Sequence, residues 1–211
     1  MFEQEHIDRI LEFYATYPRY AEVVKLRELQ ASVGHVDNVF YGDSITAGFW
    51  QLYEFFPNHS ILNRGIGGDN VYGLYYRIND DVFPYTPKKV FMLIGINMIG
   101  EPEERISSQI LAVARMMRER GIEVGLGSIL PLREEGCYPE LIVHKDKIVP
   151  INATLESAAK SDRGLFYLDY HSALKDSTGQ LAAEYACEDG VHITYEAYCR
   201  MAEVVRPHLA K

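Results

Sequence analysis

Apolar positions along the chain form short continuous runs separated by longer stretches of helical period. Val39-Phe40-Tyr41, Ile61-Leu62-Asn63, Lys89 to Ile94, Ile122 to Leu126 and Leu165 to Leu168 have strand length. The third run, KVFMLI, is almost entirely apolar, as strands in the middle of a parallel sheet are. Between the runs lie amphipathic segments. Ile45 to Leu52 and Val71 to Asn79 read as helices, as does Glu103 to Arg120, with Ile106, Ile110, Val113, Met116 and Met117 inward and Gly121 as its cap. Val143 to Lys160 puts Ile148, Ile151, Leu155 and Ala158 on one side, and Thr194 caps a last helix reaching about Leu209. Strands alternating with helices predict an α/β fold, a three-layer α/β/α sandwich on a five-stranded parallel sheet, with residues 1–211 as a single domain.

Residues 1–35 precede the first strand and read as a helical extension in two pieces, broken at Pro18. Ile7, Ile10, Leu11 and Tyr14 follow i, i+3, i+4, i+7 spacing, and Val23, Val24, Leu26 and Leu29 offer a second stripe. The extension is expected to cover one face of the sheet. A pocket wall or a homodimer surface are the sharper alternatives.

Composition narrows the partners. A formal charge of -9 argues against nucleic acid or an anionic membrane surface. The opening MFEQEHIDRI has no basic segment followed by an apolar run, and no apolar stretch approaches a membrane span. A cytoplasmic chain without stable membrane insertion is the expectation. Cys137, Cys187 and Cys199 are odd in number with no C-x-x-C pair, which suggests neither a disulfide framework nor a zinc site.

Candidate chemistry sits at the strand ends. Ser44 follows the first strand and Gly42-Asp43, where a serine is either a helix N-cap or a nucleophile beside free N–H groups. Gly65-x-Gly67-Gly68 follows the second strand, a backbone built to turn sharply or to be approached closely. It is not a dinucleotide fingerprint, since Asn70 stands where the third glycine belongs. Asn97, past the third strand, brings a neutral side-chain donor of the kind used in oxyanion holes, or simply a turn. Asp189 and His192 lie three apart before the last helix, and Asp169 with His171 forms a rival pair after the fifth strand. The former pair is preferred, because Val191 and Ile193 can anchor its loop. His6, His35, His59, His144 and His208 read as surface residues. A serine, a carboxylate–imidazole pair and two donor loops, all at strand ends, favour the nucleophile over the cap.

Gly42-Asp43-Ser44-Ile45, Asn63-Arg64-Gly65-Ile66-Gly67-Gly68-Asp69, Gly95-Ile96-Asn97 and Asp189-Gly190-Val191-His192 resemble the four ordered blocks of the SGNH (GDSL-type) hydrolase family. The similarity runs from about residue 38 to about 205 and leaves the N-terminal helices outside it. It implies a flavodoxin-like sandwich and esterase, lipase or acylhydrolase activity with neither metal nor organic cofactor. It also implies Ser44 as nucleophile, His192 as base oriented by Asp189, and an oxyanion hole made by the N–H groups of Ser44 and Gly68 and the Asn97 side chain. The chain departs from the pattern at Met98, where the family usually has an acid, and at Glu196-Ala197-Tyr198, where Gly-Tyr is common.

The expected reaction is cleavage of a small carboxylic ester, short-acyl or O-acetyl, through an acyl-enzyme. Transfer of the acyl group to another alcohol, or mere ligand binding on the same fold, are the alternatives. Ile45, Trp50, Tyr72, Met98 and Ile99 lie near the expected cleft by sequence and are candidate pocket residues.

Overall fold

The computed structural model describes residues 2–17, 20, 21, 24 and 34–210. Five parallel strands make one sheet: β1 (Asn38–Gly42), β2 (Ile61–Gly65), β3 (Lys89–Leu93), β4 (Glu123–Gly127) and β5 (Leu165–Leu168), in spatial order β2-β1-β3-β4-β5. The chain steps one way from β1 to β2 and then the other way through β3, β4 and β5. Right-handed crossovers therefore put the first connection on one face of the sheet and the later ones on the other.

Alternation along the strands builds two cores. Val39, Tyr41, Val90, Met92, Val124 and Leu126 face one way, and Phe40, Phe91 and Leu93 face the other. The first core is closed by α1 (Gln4–Thr16), α4 (Val71–Asp81), α5 (Glu103–Arg118) and α7 (Ile148–Ser161), through Ile10, Leu74, Ile78, Ile110, Val113, Ile151 and Leu155. The second is closed by α2 (Ser44–Gly48), α3 (Leu52–Phe55), α8 (Tyr170–Leu174) and α9 (Tyr195–Val205), through Ile45, Leu52, Leu174, Ala197 and Met201. The short α6 (Pro139–Ile142) lies between β4 and α7.

Some boundaries differ from the sequence pattern, for local reasons. The stretch read as one helix over 45–52 is two, because α2 ends at Gly48 with Phe49 out of helical conformation. The helix read from Val143 begins at Ile148, since His144 leaves helical geometry and Pro150 fits only the first turn. A short helix, α8, absent from the elements the pattern predicts, follows β5 with its N-terminus capped by the Asp169 side chain. α1 stops at Thr16 with Tyr17 extended, as a residue before proline tends to be. The second stripe at Val23, Leu26 and Leu29 falls outside the described residues. Among the described residues no helix is long and apolar enough to cross a membrane.

Candidate active site

At the end of β1 the backbone turns into α2 in a confined space. A Cβ on Gly42 would stand 2.1 Å from the Leu93 carbonyl oxygen and 2.3 Å from Thr46 Oγ1, so a glycine is needed there. Asp43 caps α2 by accepting the Ile45 N–H at 3.0 Å. Ser44 is the first residue of the helix and is half-buried. The turn is held from both sides: Tyr198 Oη donates to the Ile45 carbonyl at 2.9 Å, and Asn63 Nδ2 to the Thr46 carbonyl at 2.7 Å. Tyr198 stands in the segment that departs from the Gly-Tyr pattern, so the phenol that braces α2 is still supplied there.

His192 comes to Ser44 from the far end of the chain. Its Nε2 is 2.9 Å from Ser44 Oγ, and its Nδ1 is 2.6 Å from Asp189 Oδ2. The other carboxylate oxygen, Asp189 Oδ1, accepts the main-chain N–H groups of Val191 at 3.0 Å and His192 at 2.9 Å. Partial burial lifts the Asp189 pKa, but the His192 ring and these two N–H donors outweigh it and hold the carboxyl below its usual range. The loop is anchored in both cores at once, because Val191 packs into one and Ile193 into the other. The imidazole between them is thereby fixed in direction.

The rival pair is not assembled in this way. Asp169 Oδ1 accepts the Ser172 N–H at 3.0 Å, and His171 lines a separate cleft with Val149, Glu156 and Lys175. His6, read as a surface residue, instead has its ring 4.7 Å from that of Tyr72 and lines a cleft with Arg9 and Asn97.

The glycine loop after β2 lies against Ser44: a Cβ on Gly67 would be 3.9 Å from Ser44 Cβ. Gly68 has φ +74°, a left-handed conformation that L side chains rarely adopt. Asn97 sits in the turn after Gly95, and its Nδ2 donates to the Asp69 carbonyl at 2.8 Å, which leaves the second amide hydrogen unassigned by that bond. Its placement thus rests on a main-chain acceptor rather than on an acid at position 98; Met98 is buried in the first core. Gly68, Ser44 and Asn97 follow β2, β1 and β3, three adjacent strands whose order reverses at β1. Ligands bind open α/β sheets at such a switch point.

Beneath this surface lies a charged knot with no counterpart in the sequence pattern. Arg77, fully buried on α4, gives Nε to Asp69 Oδ2 at 2.8 Å, Nη1 to Asp81 Oδ2 at 2.8 Å and to the Arg64 carbonyl at 2.9 Å, and Nη2 to the Gly42 carbonyl at 3.0 Å. Its guanidinium lies 4.4 Å from the Tyr41 ring centroid. One side chain therefore ties the end of β1, β2 and the glycine loop together. The one sequence signal was an arginine on the apolar side of a short helix, between Leu74 and Ile78. Nearby, burial and the neighbouring Asp69 push the Asp43 carboxyl up to about 7 against the Ile45 N–H and Arg77.

Two cavities lie among the neighbours of these residues, one lined by Asp43 and Ile45 on either side of Ser44 in sequence and one by Asn97. One, a narrow apolar cavity of about 20 Å³, is lined by Ile45, Ile96 and Val191, each adjacent in sequence to Ser44, Asn97 or His192, and by Asp43, Leu93, Ile94, Ile129, Leu130 and Leu132. The other is an open cleft of about 290 Å³ formed by His6 and Arg9 of α1 with Asn70, Tyr72, Asn97, Met98, Gly100 and Glu101. The candidate pocket residues separate accordingly. Ile45 lines the first cavity, and Tyr72 and Met98 line the second. Trp50 is 59% exposed, and Ile99 is 1% exposed in the first core. Trp50 follows the break after α2 that turns it outward, and Ile99 closes the turn inward, so proximity in sequence does not carry either to a cavity wall.

With the geometry in hand, relatives can be compared. Residues 40–200 match the model of the GDSL-like lipase/acylhydrolase family. The chain belongs to that family. It is 26% identical over 169 residues to the human platelet-activating factor acetylhydrolase IB subunit alpha1, covering 77% of this chain and 71% of that one. Among solved structures, a Streptococcus pneumonia protein assigned as a platelet activating factor superposes with a TM-score of 0.83 at 26% identity, covering 98% of this chain and 99% of the other. A GDSL-like lipase from Bacteroides thetaiotaomicron gives 0.73 at 25% identity over 92% and 97%. As a GDSL-like acylhydrolase the chain carries a segment, α1, that precedes the family-matched residues yet contributes His6 and Arg9 to the cleft beside Asn97. Among the described residues no group of three or more His, Cys, Asp or Glu could hold a metal ion.

Proposed function

We propose that this GDSL-like acylhydrolase is a serine esterase that cleaves short-acyl esters through an acyl-enzyme on Ser44. The observation that carries the reading is the unbroken series of hydrogen bonds from Asp189 through His192 to Ser44, which joins groups 148 residues apart. A hydroxyl becomes a nucleophile when an adjacent base takes its proton, and an imidazole serves when its other nitrogen is held by a carboxylate. In this reading His192 Nε2 takes the Ser44 proton as Oγ attacks the ester carbonyl. The tetrahedral oxyanion is met by the N–H groups of Ser44 and Gly68 and the Asn97 amide. The C–O bond then breaks, His192 gives its proton to the leaving alcohol, and water repeats the sequence on the acyl-Ser44 ester.

Substrate size follows from the two cavities. The small apolar cavity is lined by Ile45, Ile96 and Val191, the chain neighbours of Ser44, Asn97 and His192, which supports its taking a short acyl chain. The more polar, open cleft walled by His6, Arg9, Tyr72 and Met98 takes the alcohol half. The acetyl group in the name of the human relative agrees with a short acyl chain.

The test combines one variant with one substrate series. Ser44→Ala is expected to keep no more than roughly a thousandth of wild-type turnover on nitrophenyl acetate. Turnover should fall from acetyl through butyryl to decanoyl esters. Undiminished activity of the variant removes Ser44 from the mechanism, and best turnover on decanoyl esters removes the short-acyl assignment.

A further inference from the structure

The helix that precedes the family-matched residues is built into the glycine loop rather than merely laid over the sheet. Phe13 occupies the space a side chain on Gly68 would need, its Cζ 2.7 Å from where that Cβ would stand, and Tyr17 Oη stands 2.4 Å from the corresponding point on Gly67. Between them Tyr14, 3% exposed, donates its phenol hydrogen to Asp69 Oδ1 at 2.7 Å. The Tyr14 ring is itself stacked on Tyr20, with centroids 4.3 Å apart.

Asp69 is the point where the loop is tied. Its Oδ1 also accepts the Asn70 N–H at 2.9 Å, its Oδ2 accepts Arg77 Nε at 2.8 Å, and its carbonyl accepts Asn97 Nδ2 at 2.8 Å. Both proposed donors of the oxyanion hole other than Ser44 thus hang on this residue, Gly68 as its neighbour in the chain and Asn97 by a hydrogen bond. We propose that Tyr14 is a positioning residue of the esterase: through Asp69 it sets where the Gly68 N–H and the Asn97 amide stand relative to Ser44.

The proposal rests on the serine-esterase reading. Its reason is that oxyanion donors act on charge that develops only in the transition state, so small errors in their position cost rate before they cost binding. A phenylalanine would fill the Tyr14 site equally well, and burying a hydroxyl is unfavourable unless it finds a partner. Here the partner is a loop carboxylate that α1 reaches across 55 residues of chain. The groups facing that carboxylate are Tyr14 from α1, Arg77 from α4 and Asp43 at the cap of α2, with Asp81 on the far side of Arg77 and Tyr41 of β1 beside Tyr14 and Arg77. Burial raises the Asp69 pKa, while Arg77 and the Tyr14 hydrogen bond hold it down against that rise. Removing the Tyr14 hydroxyl therefore lets the carboxyl protonate at higher pH.

The test is Tyr14→Phe in the full chain, assayed on nitrophenyl acetate across pH beside its thermal midpoint. A hydrogen bond to a charged group, partly transmitted to the donors, should lower kcat roughly tenfold with KM within about twofold of wild type. The acid limb of kcat should move to higher pH, because the Asp69 carboxyl then protonates more readily. Unchanged kcat, or a loss that matches the unfolded fraction with the acid limb in place, overturns the proposal. Should Tyr14→Phe not fold, Tyr14→Gln beside Tyr14→Leu separates the hydrogen bond from packing: a several-fold higher kcat in the glutamine variant, which can still donate to Asp69, at similar KM supports the proposal, and equal kcat in the two overturns it. These outcomes all presuppose an active wild type that loses activity in Ser44→Ala, so failure of the esterase reading is seen separately.

Discussion

Asp43 stands between the strand end and the serine, with 1% of its surface exposed and its carboxyl pushed up to about 7 by burial and by Asp69. In the unfolded chain the same group titrates near its ordinary 3.8. Between those values the native state holds a proton that the unfolded chain has released. The contribution is fully present below the lower value and is lost as pH rises through the upper one. Asn at position 43 can still accept the Ile45 N–H but cannot ionise. Urea midpoints of Asp43→Asn and wild type at about pH 4.5 and about pH 8 should therefore show a smaller fall in the variant. Equal falls would mean that the carboxyl stays charged throughout. At this scale the sequence was informative where a residue type has few uses, as with Gly42 beside the Leu93 carbonyl, and silent where burial creates the property, as with Asp43.

Helix α4 shows what an element adds to its residues. Val71, Leu74 and Ile78 put its apolar side on the sheet, as the period predicts, yet Arg77 and Asp81 are buried there too. Arg77 pairs with both Asp69 and Asp81, Arg64 stands 3.6 Å from Asp81 as the second cation, and Arg77 also satisfies the Gly42 and Arg64 carbonyls. Removing one member of such a group leaves charge buried without a partner. Arg77→Met should lower unfolding free energy by roughly 3–5 kcal/mol in chemical denaturation. A cost below about 1 kcal/mol, the range of an exposed pair, would show that water reaches the cluster. Hydrophobic period cannot reveal such a knot, because it ranks arginine among surface residues wherever it stands. The shifted start of α7 is the opposite case: Pro150 is visible in the sequence, but whether it kinks a helix or begins one depends on what packs behind it.

Over the whole molecule the sheet is a floor with two cores, and the candidate site lies at the carboxyl ends of its strands. Phe91 lies mid-sheet, stacked on Phe40 with ring centroids 4.6 Å apart and edge-on to Phe166 at 5.6 Å. Phe91→Ala should cost roughly 3–5 kcal/mol of stability, read from urea unfolding, since rigid strands on both sides cannot close the gap. A loss under about 1 kcal/mol would show a core that collapses around the void. Asn38 binds the far end of the described chain at this scale too, its side chain exchanging hydrogen bonds with the Ala210 N–H and carbonyl.

Strand runs, their alternation with helices and the glycines at strand ends are properties of neighbouring residues, and so the sequence by itself determined the five-stranded α/β architecture and marked positions 44, 189 and 192 together. Only the tertiary structure decided that His192 reaches Ser44 while His171 turns to another cleft, that Trp50 faces outward, and that α1 reaches the glycine loop through Tyr14. The reason is the same in each case. Those outcomes depend on which side chains the folded sheet brings within a few ångströms, a quantity that no spacing along the chain contains.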